Sequence, residues 1–330
     1  MFFPHLAEKF SELLKSVKGR KIAVVGHMRP DGDCVASQFA LADIFMQVGA
    51  ADVVCLNQNE IPRLYGDFTY GRCFVDAEAF TDLSYDVITV DCADYKRTNL
   101  TFCGRFPEPL GCVDHHQTNN SVAKINIIEP TASATAELIA GLALDAGLKI
   151  LPENATQLYM GIVMDTRQFT TSNTRALTFE IASKLIECGA DAADVARQLY
   201  QRESSAKLNL LAEYLSTLKY YENGKISIGE LRKGVYERTG AKKEDSDGLV
   251  DYGRAVDGVE IALQLEELQN GVKGSLRAKN QSGRVNEIAA MFGGGGHLAA
   301  AGFTADGETI ATFYEKILEI LKAHLKKIDA

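Results

Sequence analysis

The stretch of sequence that decides the fold is Lys21-Ile-Ala-Val-Val-Gly26, continued by His-Met-Arg-Pro-Asp-Gly-Asp33. Its first half is a short apolar run of the kind that forms a buried strand. Similar runs lie at 52–56, 86–91 and 111–114, and helical patterns lie at 35–48, 133–146, 154–164, 174–188 and 192–201. Strands that alternate with helices predict an α/β domain whose mostly parallel sheet is covered on both faces.

The pattern changes near residue 203. Residues 203–222 are predicted to form one helix with an apolar side, which we interpret as a linker. Beyond it, strand patterns at 225–231, 259–265 and 271–278 and helices near 285–291 and 308–327 predict a smaller α/β domain. The predicted organisation is therefore a parallel-sheet domain over 1–202, a helical linker over 203–222 and a second domain over 223–330.

The composition is that of a globular protein with an acidic balance. The 330 residues include 44 acidic and 35 basic side chains, giving a formal net charge of −9, and 46% are hydrophobic. This argues against a disordered or coiled-coil chain. There is no run of about 18 apolar residues and no basic-then-apolar signal order at the N-terminus, so we expect a cytoplasmic protein without membrane contacts. The acidic balance weighs against long duplex nucleic acids, but not against a short phosphate-bearing ligand held by a few cations.

The cysteines do not form a recognisable framework. There are seven, and no two are spaced as Cys-x-x-Cys, which indicates neither paired disulfides nor a zinc knuckle. Free cysteine in apolar runs behaves as a small hydrophobic residue, so a structural role is expected.

Acidic and imidazole side chains cluster where the predicted strands end. Asp91 ends the third predicted strand, the fourth continues into Asp114-His115-His116, and a helix delivers Asp165. Ligands of open parallel sheets bind beyond the carboxyl ends of the strands, so the strand-end residues are expected to converge. Burying an unpaired carboxylate is costly, so a cation is expected beside these groups.

Six side chains, two imidazoles and four carboxylates, form a candidate ligand set. They are His27, Asp31, Asp33, Asp91, His115 and Asp165. Four negative charges match two divalent cations bridged by one carboxylate. Oxygen-rich ligation without thiolate favours Mn²⁺ or Mg²⁺, and the imidazoles favour Mn²⁺. Two divalent metal ions bound side by side commonly catalyse the hydrolysis of phosphoesters. A single Asp also caps helices and Asp-Gly-Asp also forms turns, but the motifs occurring together favour a metal site.

These residues resemble the four ordered motifs of the DHH phosphoesterase superfamily. The motifs here are His27-Met-Arg-Pro-Asp-Gly-Asp33, Asp91, Asp114-His-His116 and Asp165-Thr. The stretch Gly293-Gly-Gly-Gly-His-Leu-Ala-Ala-Ala-Gly302 is similar to the glycine-rich signature of the DHH-associated C-terminal domain. The length is similar to that of the stand-alone oligoribonuclease branch, which is associated with dephosphorylation of adenosine 3′,5′-bisphosphate. The resemblance implies a catalytic first domain and a substrate-binding second domain.

The resemblance also implies roles for the candidate ligands. His27, Asp31, Asp91 and Asp165 would bind one ion. Asp33, Asp91 and His115 would bind the other, so that Asp91 bridges the two ions. His116 would face the scissile phosphate as a hydrogen-bond donor or general acid, and Asp114 would orient a ligand histidine.

Substrate contacts are expected in the second domain. Consecutive glycines let backbone N–H groups approach a phosphate, so Gly294, Gly295 and Gly296 form a candidate anion nest, to which His297 adds a donor. By resemblance, Ser275 and Arg277 on the neighbouring predicted strand are further contacts, and Arg suits bidentate phosphate recognition. If the second domain binds the end of the substrate away from the reacting phosphate, activity would be restricted to short chains.

Two positions depart from the family pattern. Ala36 stands where a glycine is usual, and little change is expected because alanine is small. Arg167 stands where a glycine usually follows Thr166. Its guanidinium could bind a substrate phosphate, shift the substrate preference or point to solvent, and the sequence leaves these alternatives open.

Three functions fit the sequence. The leading hypothesis is Mn²⁺-dependent hydrolysis of short oligonucleotides to 5′-mononucleotides, with adenosine 3′,5′-bisphosphate 3′-phosphatase activity as a second reaction. A second is a phosphodiesterase for pApA or cyclic dinucleotides. The third, of another class, is a nucleotide-binding sensor without turnover. The sequence is compatible with a monomer or a homodimer.

Overall fold

The computed structural model describes residues 1–328. The chain divides into two compact units, with the division between Arg202 and Glu203. None of the helices formed by the described residues combines the length and apolar character that crossing a bilayer requires.

The first unit is a parallel α/β domain, as the alternating pattern predicts. Its strands are β1 (Lys21–Val25), β2 (Asp52–Asn57), β3 (Val75–Asp76), β4 (Tyr85–Val90), β5 (Gly111–Asp114) and β6 (Ile125–Ile128). Its helices are α1 (Ala7–Ser16), α2 (Gly32–Gln47), α3 (Leu100–Arg105), α4 (Thr135–Asp145), α5 (Pro152–Asp165), α6 (Ala176–Glu187) and α7 (Ala192–Tyr200). The strands pair in the order β3-β2-β1-β4-β5-β6, and every neighbouring pair is parallel.

The sheet is buried on both faces. Ile22 and Val24 of β1 join a large core with α1, α2, α4 and α5, whereas Ala23 and Val25 face a smaller cluster that includes Phe102 of α3. Strands enclosed in this way have no polar face, which explains why the sequence shows continuous apolar runs instead of alternation. The strand β6 was not predicted from the sequence. It has four residues, which alternate between buried and partly exposed, and it contains the polar Asn126.

The three helices α2, α4 and α5 approach one another closely beside the carboxyl ends of the strands. A Cβ atom on Gly161 of α5 would lie 2.7 Å from the Cβ of Ala136 on α4 and 2.9 Å from Oδ1 of Asp33 on α2. This position therefore requires glycine because the three helices meet there.

The second unit is a mixed α/β domain. Its strands are β7 (Lys219–Tyr221), β8 (Ile226–Leu231), β9 (Ile261–Leu268), β10 (Gly271–Ala278), β11 (Gly295–His297) and β12 (Ala300–Asp306). Its helices are α8 (Ser205–Thr217), α9 (Val235–Thr239), α10 (Leu249–Arg254), α11 (Val285–Ala290) and α12 (Ile310–Ile328). The sheet order is β11-β12-β10-β9-β8-β7, in which β8 and β9 are parallel and the other neighbours are antiparallel.

The helix that the sequence analysis interpreted as a linker packs within this second unit. Leu210 and Tyr214 of α8 are fully buried against Leu231 of β8, Val235 of α9 and Leu249 of α10. Its apolar side is therefore part of a core. The catalytic and substrate-binding roles assigned to the two domains stay predictions.

We predict that Gly161→Ala destabilises the first unit by about 1–3 kcal/mol, because the added methyl group overpacks the contact of α2, α4 and α5. Urea denaturation followed by circular dichroism measures the loss. The matched control is Gly104→Ala at an exposed position of α3, where a new Cβ would meet nothing within 4 Å. Equal stability of the two variants would contradict the close packing described here.

Candidate metal centre

The strand order brings the predicted motifs to one edge of the sheet. β1, β4 and β5 are adjacent, and their carboxyl ends carry His27, Asp91 and the sequence Asp114-His-His116. The helix α2 starts at the same edge, so its N-cap Asp31 and its second residue Asp33 join the group, and Asp165 arrives as the last residue of α5.

The six candidate ligands lie close together. Nε2 of His27 is 3.5 Å from Asp91 Oδ2 and 3.9 Å from Asp31 Oδ1. Nε2 of His115 is 3.1 Å from Asp165 Oδ2 and 3.9 Å from Asp91 Oδ1. Potential ligand atoms of Asp33, His115 and Asp165 lie within 4.8 Å of one another. Asp91 thus neighbours both imidazoles, and the assignment of the set as metal ligands stays a prediction.

Both imidazoles are held with Nε2 towards the carboxylates. Nδ1 of His27 is 2.9 Å from the carbonyl oxygen of Met28, and Nδ1 of His115 is 3.2 Å from that of Ala132. A carbonyl oxygen only accepts, so each Nδ1–H donates. In a neutral ring this leaves a lone pair on Nε2, directed at carboxylate oxygens that are also acceptors. Burial opposes protonation of His27, but hydrogen bonding to Asp31 and Asp91 outweighs it and raises the pKa of His27, so its Nε2 attracts a proton or a metal ion. Backbone contacts of this kind orient histidine ligands in metal sites.

Two of the four carboxylates, those of Asp33 and Asp91, are buried, whereas Asp31 is exposed and Asp165 is partly exposed. Asp33 is fully buried and Asp91 is 2% exposed. Burial raises the pKa of Asp33 well above its ordinary value, and the charges of Asp91, Asp165 and Asp31 raise it further. Burial likewise raises the pKa of Asp165 to about 7, with His115 opposing the shift and Asp91 and Asp31 adding to it.

This electrostatic strain fits a site for divalent cations. Four carboxylates and two imidazoles converge here, and neighbouring carboxylates add to the burial that raises the pKa of Asp33 and of Asp165, so a cation would stabilise their charged forms. Oxygen and imidazole donors suit Mn²⁺ and Mg²⁺. The residues present therefore fit the metal ions that the sequence analysis predicted.

Asp33 and Asp91 are also held by the start of helix α4, which the sequence analysis did not connect with the site. The backbone N–H of Thr135 donates to Asp33 Oδ2 at 2.7 Å and that of Ala136 donates to Oδ1 at 2.8 Å. The hydroxyl of Thr135 donates to Asp91 Oδ1 at 3.0 Å. Backbone donors carry no sequence signal, and threonine is common at helix starts whether or not an acidic site lies nearby.

The Asp114 carboxylate orients His116 instead of the ring of His115. Its Oδ1 lies 2.8 Å from His116 Nδ1 and accepts the backbone N–H of His115, while Oδ2 accepts from Asn119 at 2.6 Å. The hydrogen bond to Asp114 raises the pKa of His116 and burial opposes it. The expectation that Asp114 orients a ligand histidine is thus corrected, because the ring of His115 is held by a backbone carbonyl.

A buried cysteine lies beside the candidate ligands. Potential ligand atoms of His27, Cys34 and Asp91 lie within 4.8 Å of one another. Burial raises the pKa of the Cys34 thiol to about 12, which favours its neutral form. The sequence analysis gave this residue only a structural role, because its place one helical residue after Asp33 does not show which way the side chain points.

The predicted substrate contacts of the second unit share one face of its sheet. Arg277 of β10 is in register with Ala300 of β12, which is in register with His297 of β11. Ser275 lies two residues before Arg277 and therefore faces the same side. The guanidinium of Arg277 is half-buried, with Nε 3.9 Å from Asp251 Oδ2.

The glycine run forms a strand edge. Gly295 and Gly296 belong to β11, so they pair with β12. A Cβ on Gly294 would lie 2.2 Å from the carbonyl oxygen of Gly302, so strand packing alone requires a glycine there. The nest of phosphate-binding N–H groups stays a prediction.

Arg167 is exposed and begins a left-handed turn. It and the next two residues, Gln168 and Phe169, have φ values of 45°, 61° and 63°. A left-handed φ favours glycine, which explains the glycine usual at this place, and a larger residue is strained there. Its side chain has no hydrogen-bond or ion-pair partner among residues 1–328.

Comparison with known proteins identifies both domains. Residues 21–162 match the DHH family, N-terminal domain, and residues 230–326 match the DHHA1 domain. The chain therefore contains a DHH N-terminal domain followed by a DHHA1 domain. The DHH domain contains every candidate ligand except Asp165, which lies just beyond the matched range, and the DHHA1 domain contains Ser275, Arg277 and His297.

Relatives match along most of the chain. A Thermus thermophilus protein named bifunctional oligoribonuclease and PAP phosphatase NrnA is 28% identical over 317 residues, covering 96% of this chain and 94% of that one. A Bacillus subtilis protein of the same name is 27% identical and covers 84% and 86%. The crystal structure of an exopolyphosphatase-related protein from Bacteroides fragilis has a TM-score of 0.85 at 24% identity, covering 99% of this chain and 98% of that one, which shows a shared fold.

We predict that Asp165→Asn raises the unfolding temperature of the metal-free protein, because it removes a carboxylate whose charged form is disfavoured by burial and by the charges of Asp91 and Asp31. The same change should abolish most of the stabilisation by Mn²⁺, which for the wild type is about 2.7 kcal/mol at one hundred times the dissociation constant. Thermal unfolding with chelator and with Mn²⁺ measures both effects. Glu180→Gln on the exposed side of α6 is the control and should change neither; a Mn²⁺ response of Asp165→Asn equal to that of the wild type would refute the site.

Proposed function

We propose that this chain is a metal-dependent hydrolase that cleaves phosphoester bonds in short oligonucleotides and releases 5′-mononucleotides. The observation that carries this proposal is the convergence of four carboxylates and two oriented imidazoles, from separate segments of the chain, at the carboxyl edge of one parallel sheet. The match of residues 21–162 to the DHH N-terminal domain supports it, as do the relatives named oligoribonuclease and PAP phosphatase. Dephosphorylation of adenosine 3′,5′-bisphosphate is proposed as a second activity.

The resemblance assigns His27, Asp31, Asp91 and Asp165 to one ion and Asp33, Asp91 and His115 to the other. The structure supports His27 and Asp31 on one side of Asp91 and His115 on the other, but Asp165 lies beside His115 and Asp33. We therefore propose that Asp165 binds the second ion. Mn²⁺ is proposed, with Mg²⁺ as a possible substitute, since imidazole and carboxylate donors occur together. When bound, a pair of such ions lowers the pKa of a water molecule and stabilises the charge that develops on the phosphate oxygens.

The chain's own donors complete the chemistry. Asp114 accepts the Nδ1–H of His116, which fixes the ring and stabilises its charged form, so Nε2–H is available to a phosphate oxygen or to the departing ribose 3′-oxygen. Because His116 is part-exposed, with 34% of its side chain accessible, a substrate can reach it.

The second unit is proposed to bind the substrate. Ser275, Arg277 and His297 present a hydroxyl, a guanidinium and an imidazole on one face of its sheet, a set suited to a phosphate group. Gly294, Gly295 and Gly296 would add backbone donors. In this assignment residues 1–202 catalyse and 223–330 bind the substrate, and 203–222 connect the two while their helix α8 packs in the core of the second unit. The protein is proposed to act in the cytoplasm.

The proposal is tested by a product profile with Mn²⁺ on 5′-labelled RNA from dimers to decamers, and on adenosine 3′,5′-bisphosphate. We expect 5′-mononucleotides from the shortest chains and turnover that falls with length. Asp91→Asn should lose turnover and Mn²⁺ binding. Asparagine is chosen because Asp91 has a φ of 52°, which asparagine tolerates. Asp86→Asn, at the other end of β4, is the control.

Other outcomes decide against the proposal. Equal rates on long RNA would remove the restriction to short chains. Faster hydrolysis of pApA or cyclic dinucleotides than of RNA dimers would show that the protein is a phosphodiesterase for pApA or cyclic dinucleotides. A Mn²⁺-loaded protein that binds nucleotides without releasing products would be a sensor.

His116→Ala should lower kcat by about 10²- to 10⁴-fold, the usual contribution of a general acid, while Mn²⁺ binding stays within error of the wild type. The reason is that His116 is held by Asp114 and is not part of the proposed ligand set. Steady-state kinetics on an RNA dimer and Mn²⁺ titration measure the two effects. Lys124→Ala, an exposed change in the same region, is the control; unchanged kcat in His116→Ala would assign the proton donor elsewhere.

A further inference from the structure

One loop contacts three of the proposed metal ligands. We name residues 131–136 the 131–136 loop; its first four residues lie between β6 and α4, and Thr135 and Ala136 begin α4. Its Ala132 carbonyl accepts from His115 Nδ1 at 3.2 Å, and the Thr135 hydroxyl donates to Asp91 Oδ1 at 3.0 Å. The backbone N–H groups of Thr135 and Ala136 hold both oxygens of Asp33. The position of this loop therefore sets the positions of ligands that come from three different strands and helices.

The 131–136 loop is itself fixed by a buried carboxylate, Glu137. This side chain is fully buried and lies in the first turn of α4. Its Oε2 accepts the backbone N–H of Ser133 at 3.2 Å, the Ser133 hydroxyl, and the Thr178 hydroxyl at 2.8 Å. Its Oε1 accepts from Arg175 Nη2 at 3.2 Å. Four donors satisfy the charge without any solvent contact.

Residues at the start of α6 hold the loop from the other side. Asn173 Nδ2 donates to the Ser133 carbonyl oxygen at 3.1 Å, and Arg175 Nη1 donates to the Thr131 hydroxyl at 3.0 Å. Arg175 therefore contacts the loop directly and also through Glu137. These contacts connect residues 173–175, which lie between α5 and α6, to the 131–136 loop.

We infer that Glu137 is a positioning residue for the metal centre, acting through the 131–136 loop on Asp33, Asp91 and His115. The inference rests on the proposed function, in that these three residues must be ligands. Removing one partner of a buried charge network leaves other groups unsatisfied and costs more than the bond itself. Here the groups left unsatisfied include both donors of Ser133, which belong to the loop. A shift of the loop withdraws donors from Asp33 and Asp91, so the cost appears in metal affinity as well as in stability.

The test compares two buried carboxylates on the same helix. Glu137→Gln keeps the side-chain size but replaces one carboxylate oxygen by an amide N–H₂ group. This group is a hydrogen-bond donor and would face the donors that the carboxylate oxygen accepted from. Asp145→Asn, at the far end of α4, alters a 5%-exposed carboxylate that accepts the backbone N–H groups of Phe2 and Phe3. Both variants are expected to unfold at lower temperature. Only Glu137→Gln should bind Mn²⁺ about 10- to 100-fold more weakly, the range usual for residues that orient ligands.

Mn²⁺ affinity is measured without substrate, by electron paramagnetic resonance of the free ion, well below the unfolding temperature of each variant. We also expect kcat of Glu137→Gln at saturating Mn²⁺ to recover towards the wild-type value, as for a residue that acts on metal binding. The inference is overturned if the Glu137→Gln variant is folded and binds Mn²⁺ with the affinity of the wild type. It is also overturned by an equal loss of affinity in Asp145→Asn, which would show a general effect of destabilisation.

Two further variants test the loop if Glu137→Gln does not fold. Asn173→Ala removes one bond to the Ser133 carbonyl from an exposed side chain, and Thr135→Val removes the hydroxyl that contacts Asp91. Both should weaken Mn²⁺ binding several-fold, and Thr135→Ser should restore it. Unchanged affinity in both overturns the inference. A wild type that binds Mn²⁺ but hydrolyses no nucleotide overturns the proposed function and leaves this inference standing, because its readout is metal binding.

Discussion

The structure depends on burying negative charge at the edge of a parallel sheet. Asp33 is fully buried beside Asp91 and Asp165, an arrangement that costs free energy in a medium of low polarity. The protein offsets part of this cost with the N–H groups of the first turn of α4, where the helix dipole also favours an anion. The part of the cost that these N–H groups do not offset favours the binding of a cation. The close packing of α2, α4 and α5 keeps the carboxylates from moving apart, so their repulsion is not relieved by a shift of the helices.

Strand order explains why these residues meet. β1 continues to β2 on one side, while β4, β5 and β6 extend the sheet on the other, so the order reverses between β1 and β4. Loops that leave neighbouring strands in opposite directions open a crevice at such a point. His27 follows one of these strands and Asp91 the other, and their side chains approach to 3.5 Å. The metal centre therefore lies where the topology itself provides space for a ligand.

The sequence predicted the parts of the fold that carry strong periodicity. Apolar runs located β1, β4 and β5, and the residues that follow them identified the DHH motifs. It did not predict β6, whose four residues are too short and too mixed in polarity to stand out. It also interpreted α8 as a linker, because an apolar helix side does not reveal which core it joins. The contacts of Thr135 and Ala136 with Asp33 lie outside sequence reasoning, since backbone N–H groups are present at every residue except proline.

Two buried carboxylates of the first unit show how environment decides function. Glu137 and Asp33 are both inaccessible to solvent, and both accept hydrogen bonds from residues near the start of α4. Glu137 has the Arg175 guanidinium among its donors, so its charge is balanced by the protein and it can act as a fixed point. Asp33 accepts only from neutral groups and has other carboxylates as neighbours. Similar burial thus leaves Glu137 as a structural residue and Asp33 as a candidate metal ligand, because among residues 1–328 Glu137 forms an ion pair with Arg175, whereas the hydrogen-bond donors to Asp33 are neutral.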